Sequence, residues 1–258
     1  MSAIEFDGIL NFRDFGGMPG AGGRTVKRGV LYRSGHHAAA TDADMARLAD
    51  MDFALIVDLR RTPERLREVA RRVEDGRHHM IEHAGPSEAA VPPHLAALQT
   101  GDVGVDDVTR QMIAGYRGYP FDPYYIAIYR EYFAKLAEVD GPVLIQCHAG
   151  KDRTGVLCAL TLHVLGVDKD AIYEDYLATN IHNKADARMN EMAENYRVTY
   201  GRTPTDDFLR KLMSVEEGYL DAAYAAIAEG HGDVDAYLRD VVKLTPEGAA
   251  AIREKLLD

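Results

Sequence analysis

Two short runs of the chain are apolar on both faces, and they constrain the fold more than any other feature. Phe53-Ala54-Leu55-Ile56-Val57 ends in Asp58; Val143-Leu144-Ile145 follows a Gly141-Pro142 break and ends in Gln146-Cys147. A strand with one wet face alternates apolar and polar residues. A strand with no wet face reads as continuous Val, Ile and Leu, as in a parallel sheet covered on both sides. A helix start follows each run, Thr62-Pro63-Glu64 after the first and Thr154–Leu165 after the second. The second helix is apolar nearly all round, so it is expected at the centre of the fold. Thr41 caps another helix through about Asp50, and Tyr124–Val139 is amphipathic. Glycines at Gly16, Gly17, Gly20, Gly22 and Gly23 punctuate an N-terminal hairpin ahead of the short strand Val30-Leu31-Tyr32. From Asp168 onward the pattern is helical, with breaks near 202–204, 230–233 and 245–246. Strands alternating with helices, then a helical tail, predict an α/β class.

The chain has 258 residues, 47% hydrophobic and 28% charged, which suits one globular domain over 1–258. Residues 84–123, with Pro92-Pro93, several glycines and one helical stretch around Val108–Tyr116, read as an insertion beside the core. Thirty basic against 41 acidic side chains leave a net charge of −11. That field repels nucleic acid and anionic membranes, although a local basic site can still hold a phosphate. No uncharged apolar run reaches the ~20 residues that span a bilayer, so stable membrane insertion is not expected. Two cysteines, Cys147 and Cys158, do not make a disulfide scaffold. With an acidic N-terminus in place of a signal peptide, the expected location is cytoplasmic, leaderless secretion remaining open.

The chemistry concentrates in Val143–Gly155, a buried strand, a tight loop and a helix. The loop holds Cys-x5-Arg, from Cys147 to Arg153. That pattern alone is weak. Its position between a strand and a helix N-terminus strengthens it, because free N–H groups and the helix dipole there favour an anion. His148-Ala149-Gly150-Lys151 supplies the backbone of a phosphate cradle, in which Gly150 lets the chain curl. Arg153 offers a fork matched to two phosphate oxygens. A thiol at the base of that positive cradle is activated toward thiolate and faces phosphorus as a nucleophile.

The string Cys147-His148-Ala149-Gly150-Lys151-Asp152-Arg153-Thr154-Gly155 resembles the phosphate loop of cysteine-dependent phosphatases, and more narrowly the bacterial tyrosine phosphatase B-like (atypical lipid phosphatase) group. Asn11-Phe12-Arg13-Asp14-Phe15-Gly16-Gly17 is similar to that group's N-terminal motif. Leu31-Tyr32-Arg33-Ser34, Asp58-Leu59-Arg60 with Glu64-Arg65, Tyr176-Leu177 with Asn180, and Asp235–Arg239 also fall in the group's order. One position departs: the group has His before the nucleophile, and this chain has Gln146.

The resemblance implies a tyrosine-phosphatase-like fold, a mostly parallel sheet flanked by helices with a helical lid or tail over 183–258. It implies a phosphate-binding loop over 147–154 and phosphomonoester hydrolysis through a cysteinyl-phosphate. The substrate is phosphotyrosine, with phosphoserine/threonine and phosphoinositides as further candidates. A phosphoinositide-first lipid phosphatase and a phospho-binding pseudophosphatase are the alternatives. No cofactor or metal is expected; the histidines His78, His79 and His83 show no ligand pattern. Thr154 is expected to hydrogen-bond the departing thiolate. This chain has no Trp, so the acid-bearing Trp-Pro-Asp loop of many tyrosine phosphatases is absent. The resemblance makes Asp152 the general acid. Asp58, at the carboxyl end of a buried strand, is the other candidate. Lys151 is expected at the rim of the cradle as a selector for polyphosphorylated substrates. Arg13 and Asp14 read as a salt bridge in a turn, and Cys158 as core. The arginines from Arg60 to Arg77 read as a solvated helix with i,i+4 pairs. Met189, Met192, Phe208, Leu209 and Leu212 are expected on the inner face of the lid.

Overall fold

The computed structural model describes residues 4–73, 78–85 and 104–258. Among these residues five strands form one sheet: β1 (Arg13–Asp14), β2 (Leu31–Ser34), β3 (Leu55–Asp58), β4 (His79–Ile81) and β5 (Val143–Gln146), in the order β1-β2-β5-β3-β4. Only β1 runs antiparallel to its neighbour. The register sets Ser34 and Asp58 on either side of Gln146, so the carboxyl ends of three strands meet just before Cys147.

The two apolar runs are the central strands because both faces are covered. Leu55, Val57, Val143 and Ile145 point into the larger core, and Ile56 and Leu144 into a second one with Phe6, Ile9, Phe12 and Leu48. The expected helices are present: α1 (Asp42–Asp50), α2 (Thr62–Arg67), α4 (Pro123–Glu138) and α5 (Asp152–Val164). Thr41 caps α1 through a reciprocal box with Asp44. Helix α5 buries ten of its 13 residues, which makes it the central helix its composition predicts.

Three expectations need correction. The stretch 84–123 is not merely beside the core: α3 (Val105–Gly118) buries Val108, Met112 and Tyr116 in the larger core. Residues 86–103, with Pro92-Pro93, lie outside the described ones. The arginine-rich stretch is not a solvated helix. Helix α2 is only six residues long, Arg60 is fully buried on Asp58, Arg61 pairs with Asp122, and Arg65 donates to the carbonyl of His83 at 2.6 Å. Arg77 is outside the described residues. Arg13 and Asp14 do not pair with each other. Asp14 accepts from the N–H groups of Gly16 (2.7 Å) and Gly29 (2.8 Å), tying the hairpin turns, while Arg13 turns inward.

Helices α6 (Lys169–Leu177), α7 (Thr179–His182), α8 (Ala185–Tyr200), α9 (Asp206–Met213), α10 (Glu217–His231), α11 (Val234–Tyr237) and α12 (Pro246–Leu256) make up the rest. Phe208, Leu209 and Met213 are buried, and Met189, Met192 and Leu212 pack partly buried against them. Among the described residues no helix is long and apolar enough to cross a membrane.

Candidate active site

Cys147 follows β5 directly, is 2% exposed, and opens a five-residue loop that ends at α5. The N-cap of α5, Lys151, makes no side-chain cap, so the first N–H groups of the helix are not spent on one. Gly150 has φ +64°, and a Cβ there would lie 2.3 Å from the carbonyl carbon of Ser34. Only glycine fits that turn. Its carbonyl is drawn back toward β1 and β2, accepting from Asn11 Nδ2 (2.7 Å) and Arg33 Nη2 (2.9 Å).

Those two donors are themselves held. Asp175 on α6 accepts from Arg13 Nε (3.0 Å) and Arg33 Nη1 (2.5 Å), and Arg13 Nη1 also donates to Asn11 Oδ1 at 2.5 Å. All four side chains are buried. Burial alone pushes the Asp175 carboxyl up, but the two guanidiniums hold it below the usual carboxylate range. The N-terminal Asn11–Arg13 motif and Arg33 thus form a scaffold beneath the loop.

Arg153 is oriented by a residue that the sequence reading did not assign a role. Its Nη1 and Nη2 donate to Glu64 Oε2 and Oε1 at 2.7 and 2.8 Å. Burial opposes the Glu64 charge, yet Arg153 and the Arg61 N–H bring its pKa down to about 2. Because Glu64 takes the end of the fork, the Nε edge remains for a phosphate. The signal was available: Glu64 stands at N3 of a helix begun by Thr62-Pro63, where a carboxylate is expected to reach back to the backbone.

The two acid candidates separate clearly. Asp58 is 1% exposed and saturated by Arg60, accepting from its backbone N–H (3.0 Å), Nε (3.1 Å) and Nη2 (2.7 Å). It locks a buried ion pair in which Arg60 engages both of its oxygens. Asp152, in the first turn of α5, accepts at Oδ1 from Tyr116 at 2.8 Å and is partly exposed.

Lys151 is not at the rim. It is 4% exposed, and its ammonium donates to the carbonyls of Leu212 (2.7 Å) and Ser214 (3.1 Å), with Asp152 Oδ1 at 3.4 Å. A buried ammonium needs acceptors, and the uncapped carbonyls at the end of α9 supply them. His148 carries the loop's exposed side chain and pairs with Glu68 Oε2 at 2.8 Å. His36 lies edge-on to it with ring centroids 4.9 Å apart. The His148 hydrogen bond brings Glu68 down to about 2, whereas burial, helped by His148, lowers His36 to about 4. Among the described residues, His36, Glu68 and His148 are the group close enough to hold a metal. The Ala38 N–H donates to His36 Nδ1 at 3.1 Å, which leaves the ring proton on Nε2, facing Glu68. His79 and His83 both face Glu131, at 3.1 and 2.7 Å.

Two loop neighbours keep unspent polar atoms among the described residues: Gln146 Oε1 and Thr154 Oγ1 are buried without a hydrogen-bond partner. The expected Thr154 bond is to the departing thiolate of the second step, and in the resting site its hydroxyl is uncommitted. Ala149 is half-buried beside Gly150. Cys158 is fully buried, and burial pushes its thiol up to about 12, as core packing requires.

The tyrosine phosphatase family profile matches residues 4–258. The chain is 35% identical to a provisionally named tyrosine-protein phosphatase of Cupriavidus necator, across 93% of this chain and 84% of the relative. It is 31% identical to the triple specificity protein phosphatase PtpB of Mycobacterium tuberculosis, across 93% of this chain and 94% of that one. The crystal structure of TpbA from P. aeruginosa aligns with 74% of this chain and 89% of its own, at 20% identity and a TM-score of 0.31, too distant to carry an argument. With a parallel sheet converging on Cys147 and a family match over nearly the whole length, this chain belongs to the tyrosine phosphatase family, in its bacterial PtpB-like group.

Proposed function

We propose that the protein hydrolyses phosphotyrosine by a two-step, cysteine-dependent mechanism, with phosphoserine and phosphothreonine as further substrates. The observation that carries this reading is the two-pronged Glu64–Arg153 pair at the end of the Cys147 loop. It fixes a permanently charged fork within electrostatic reach of Cys147.

In the first step the Cys147 sulfur attacks phosphorus in line, the bond to the phenolic oxygen breaks, and Asp152 gives that oxygen its proton. In the second, water attacks the cysteinyl-phosphate, the S–P bond breaks, and Asp152 takes the water proton. Arg153 and the loop N–H groups stabilise the equatorial oxygens in both steps. Asp58 serves the site indirectly: it fixes Arg60, whose Nη1 donates to the carbonyl of Glu68 at 2.7 Å, and so steadies the α2 segment that carries Glu64.

The mechanism is tested by turnover of para-nitrophenyl phosphate in EDTA, followed by matched phosphotyrosine, phosphoserine and phosphothreonine peptides. Turnover unaffected by EDTA with phosphotyrosine preferred is the expected result. Binding of phosphate without turnover would instead identify a phospho-binding protein.

A further inference from the structure

Asp152 is joined to two tyrosines that no sequence argument connected with it. Tyr116 on α3 donates to Asp152 Oδ1 at 2.8 Å, and the Tyr116 and Tyr176 hydroxyls are 2.6 Å apart. Tyr116 has one proton, and Asp152 Oδ1 receives it. The bond between the tyrosines must then run from Tyr176 to Tyr116. Both residues are buried, at 0% and 1% exposure. Burial, reinforced by the nearby Asp152 charge, raises both phenols well above their ordinary pKa, so they remain protonated donors throughout the working range.

We propose that the chain Tyr176→Tyr116→Asp152 is a positioning relay that decides which oxygen of the catalytic carboxyl group carries the proton. The inference rests on the assignment of Asp152 as the acid. Oδ1 is taken: Tyr116 donates to it and the Lys151 ammonium lies 3.4 Å away. An oxygen facing two donors is a poor place for a proton, so the proton resides on Oδ2. That oxygen delivers it to the leaving group in the first step and takes one from water in the second. Oδ1 stays anchored in both protonation states, so the carboxyl group need not reorient between steps. Such pre-set geometry is where a remote hydroxyl gains leverage on rate. Tyr116 and Tyr176 touch no reacting atom and are positioning residues.

The charged and titratable groups around Asp152 are Lys151 and Arg153 from its own loop, Tyr116 from α3, Tyr119 from the turn after α3, and Tyr176 from α6 behind Tyr116. Of these, Tyr116 is the hydroxyl donor in direct contact. A donor to a carboxylate favours the ionised form, so its removal favours the acid.

The experiment measures pH–rate profiles and a leaving-group series of aryl phosphates for wild type, Tyr116→Phe, Tyr176→Phe, the double variant and Asp152→Asn. Phenylalanine keeps the ring packing. Tyr116→Phe is expected to move the alkaline limb of kcat to higher pH. It should also lower kcat about tenfold for leaving groups of high pKa, with little change for acidic phenols. Tyr176→Phe should shift the limb in the same direction by less, and the double variant should match Tyr116→Phe, because Tyr176 acts only through Tyr116. Merely structural roles would give additive losses spread evenly over the series. An unmoved limb in Tyr116→Phe, alongside a leaving-group-selective loss in Asp152→Asn, overturns the relay but keeps the acid. An even loss across the series in Asp152→Asn overturns the acid assignment and the relay with it. If Tyr116→Phe does not fold, the limb in Tyr176→Phe decides: a shift supports the relay and no shift overturns it.

Discussion

Replacing Glu64 by Gln tests the orientation of Arg153 with almost no change in shape. The carboxylate takes two charge-assisted bonds from the guanidinium, at 2.7 and 2.8 Å, and its side chain is 13% exposed. An amide has one oxygen, so one bond survives and an NH2 group now faces Nη1 or Nη2. Loss of one hydrogen bond between charged groups is worth about 1.5–3 kcal/mol. If that energy held the fork in its transition-state position, kcat/KM falls by roughly 10–150-fold. Stability provides an independent reading. The Glu64 pKa is about 2 in the folded protein against a usual 4.5, so the unfolded chain binds the proton more readily. The stabilisation is complete above about pH 4.5 and is lost as pH falls through about 2, and its size is on the order of 3 kcal/mol. In Glu64→Gln this part of the acid limb disappears: thermal midpoints of variant and wild type differ most above pH 5 and converge toward pH 2. The assays are para-nitrophenyl phosphate kinetics and calorimetric melting at a series of pH values. A variant within twofold of wild type in kcat/KM, with an unchanged pH–stability slope, would refute the claim that Glu64 orients Arg153.

Cys147→Ser should abolish turnover while phosphate binding, followed by isothermal calorimetry, persists through Arg153 and the loop amides; Cys158→Ser should leave turnover intact, and more than a few per cent residual activity in the first would defeat the thiol mechanism. Lys151→Met removes the ammonium that holds Leu212 and Ser214, and amide exchange at 213–216 should quicken with kcat/KM falling to the same degree for phosphotyrosine peptides and phosphoinositides. A loss confined to phosphoinositides would return Lys151 to the rim. Gly150→Ala forces a Cβ to 2.3 Å from Ser34 in a left-handed turn, and the expected result is loss of phosphate binding, read by the same calorimetry, before any loss of the sheet by circular dichroism.

What the sequence carried and what it withheld divide along physical lines. The parallel strands, the central helix and the Cys147–Arg153 loop were readable because each is a local pattern: an apolar run, a cap, a fixed spacing. The partners of those residues were not. Lys151 looks like a solvated cation from its neighbours in sequence, and only the close of α9, some sixty residues later, shows that carbonyls were waiting for it. Asp58 and Asp152 are equivalent as letters, and the difference lies in their partners: Arg60, two residues away, engages both oxygens of one, and Tyr116 from another helix engages a single oxygen of the other. The helical stretch that ends near Tyr116 was legible, but nothing local in it shows that its last tyrosine reaches Asp152. The arginines of 60–72 misled for the opposite reason. Their spacing suits exposed i,i+4 pairs, but Arg60, Arg61, Arg71 and Arg72 pair with Asp58, Asp122, Asp42 and Glu82, none of them on α2.

The buried knot around Asp175 gives the enzyme a built-in dependence on the completeness of its fold. Arg13 and Arg33 reach Asp175 across 162 and 142 residues, and Asn11 and Arg33 reach Gly150 across 139 and 117. Closures this long are among the costliest in entropy, and proteins dominated by them fold slowly. The phosphate loop is short and local, yet the carbonyl that shapes it has no anchor until the first and last thirds of the chain have met. A nascent or partly unfolded molecule can therefore have its sheet and still lack a working cradle. Catalysis becomes the final property the protein acquires and the earliest it surrenders, so regain of turnover on refolding lags the regain of secondary structure.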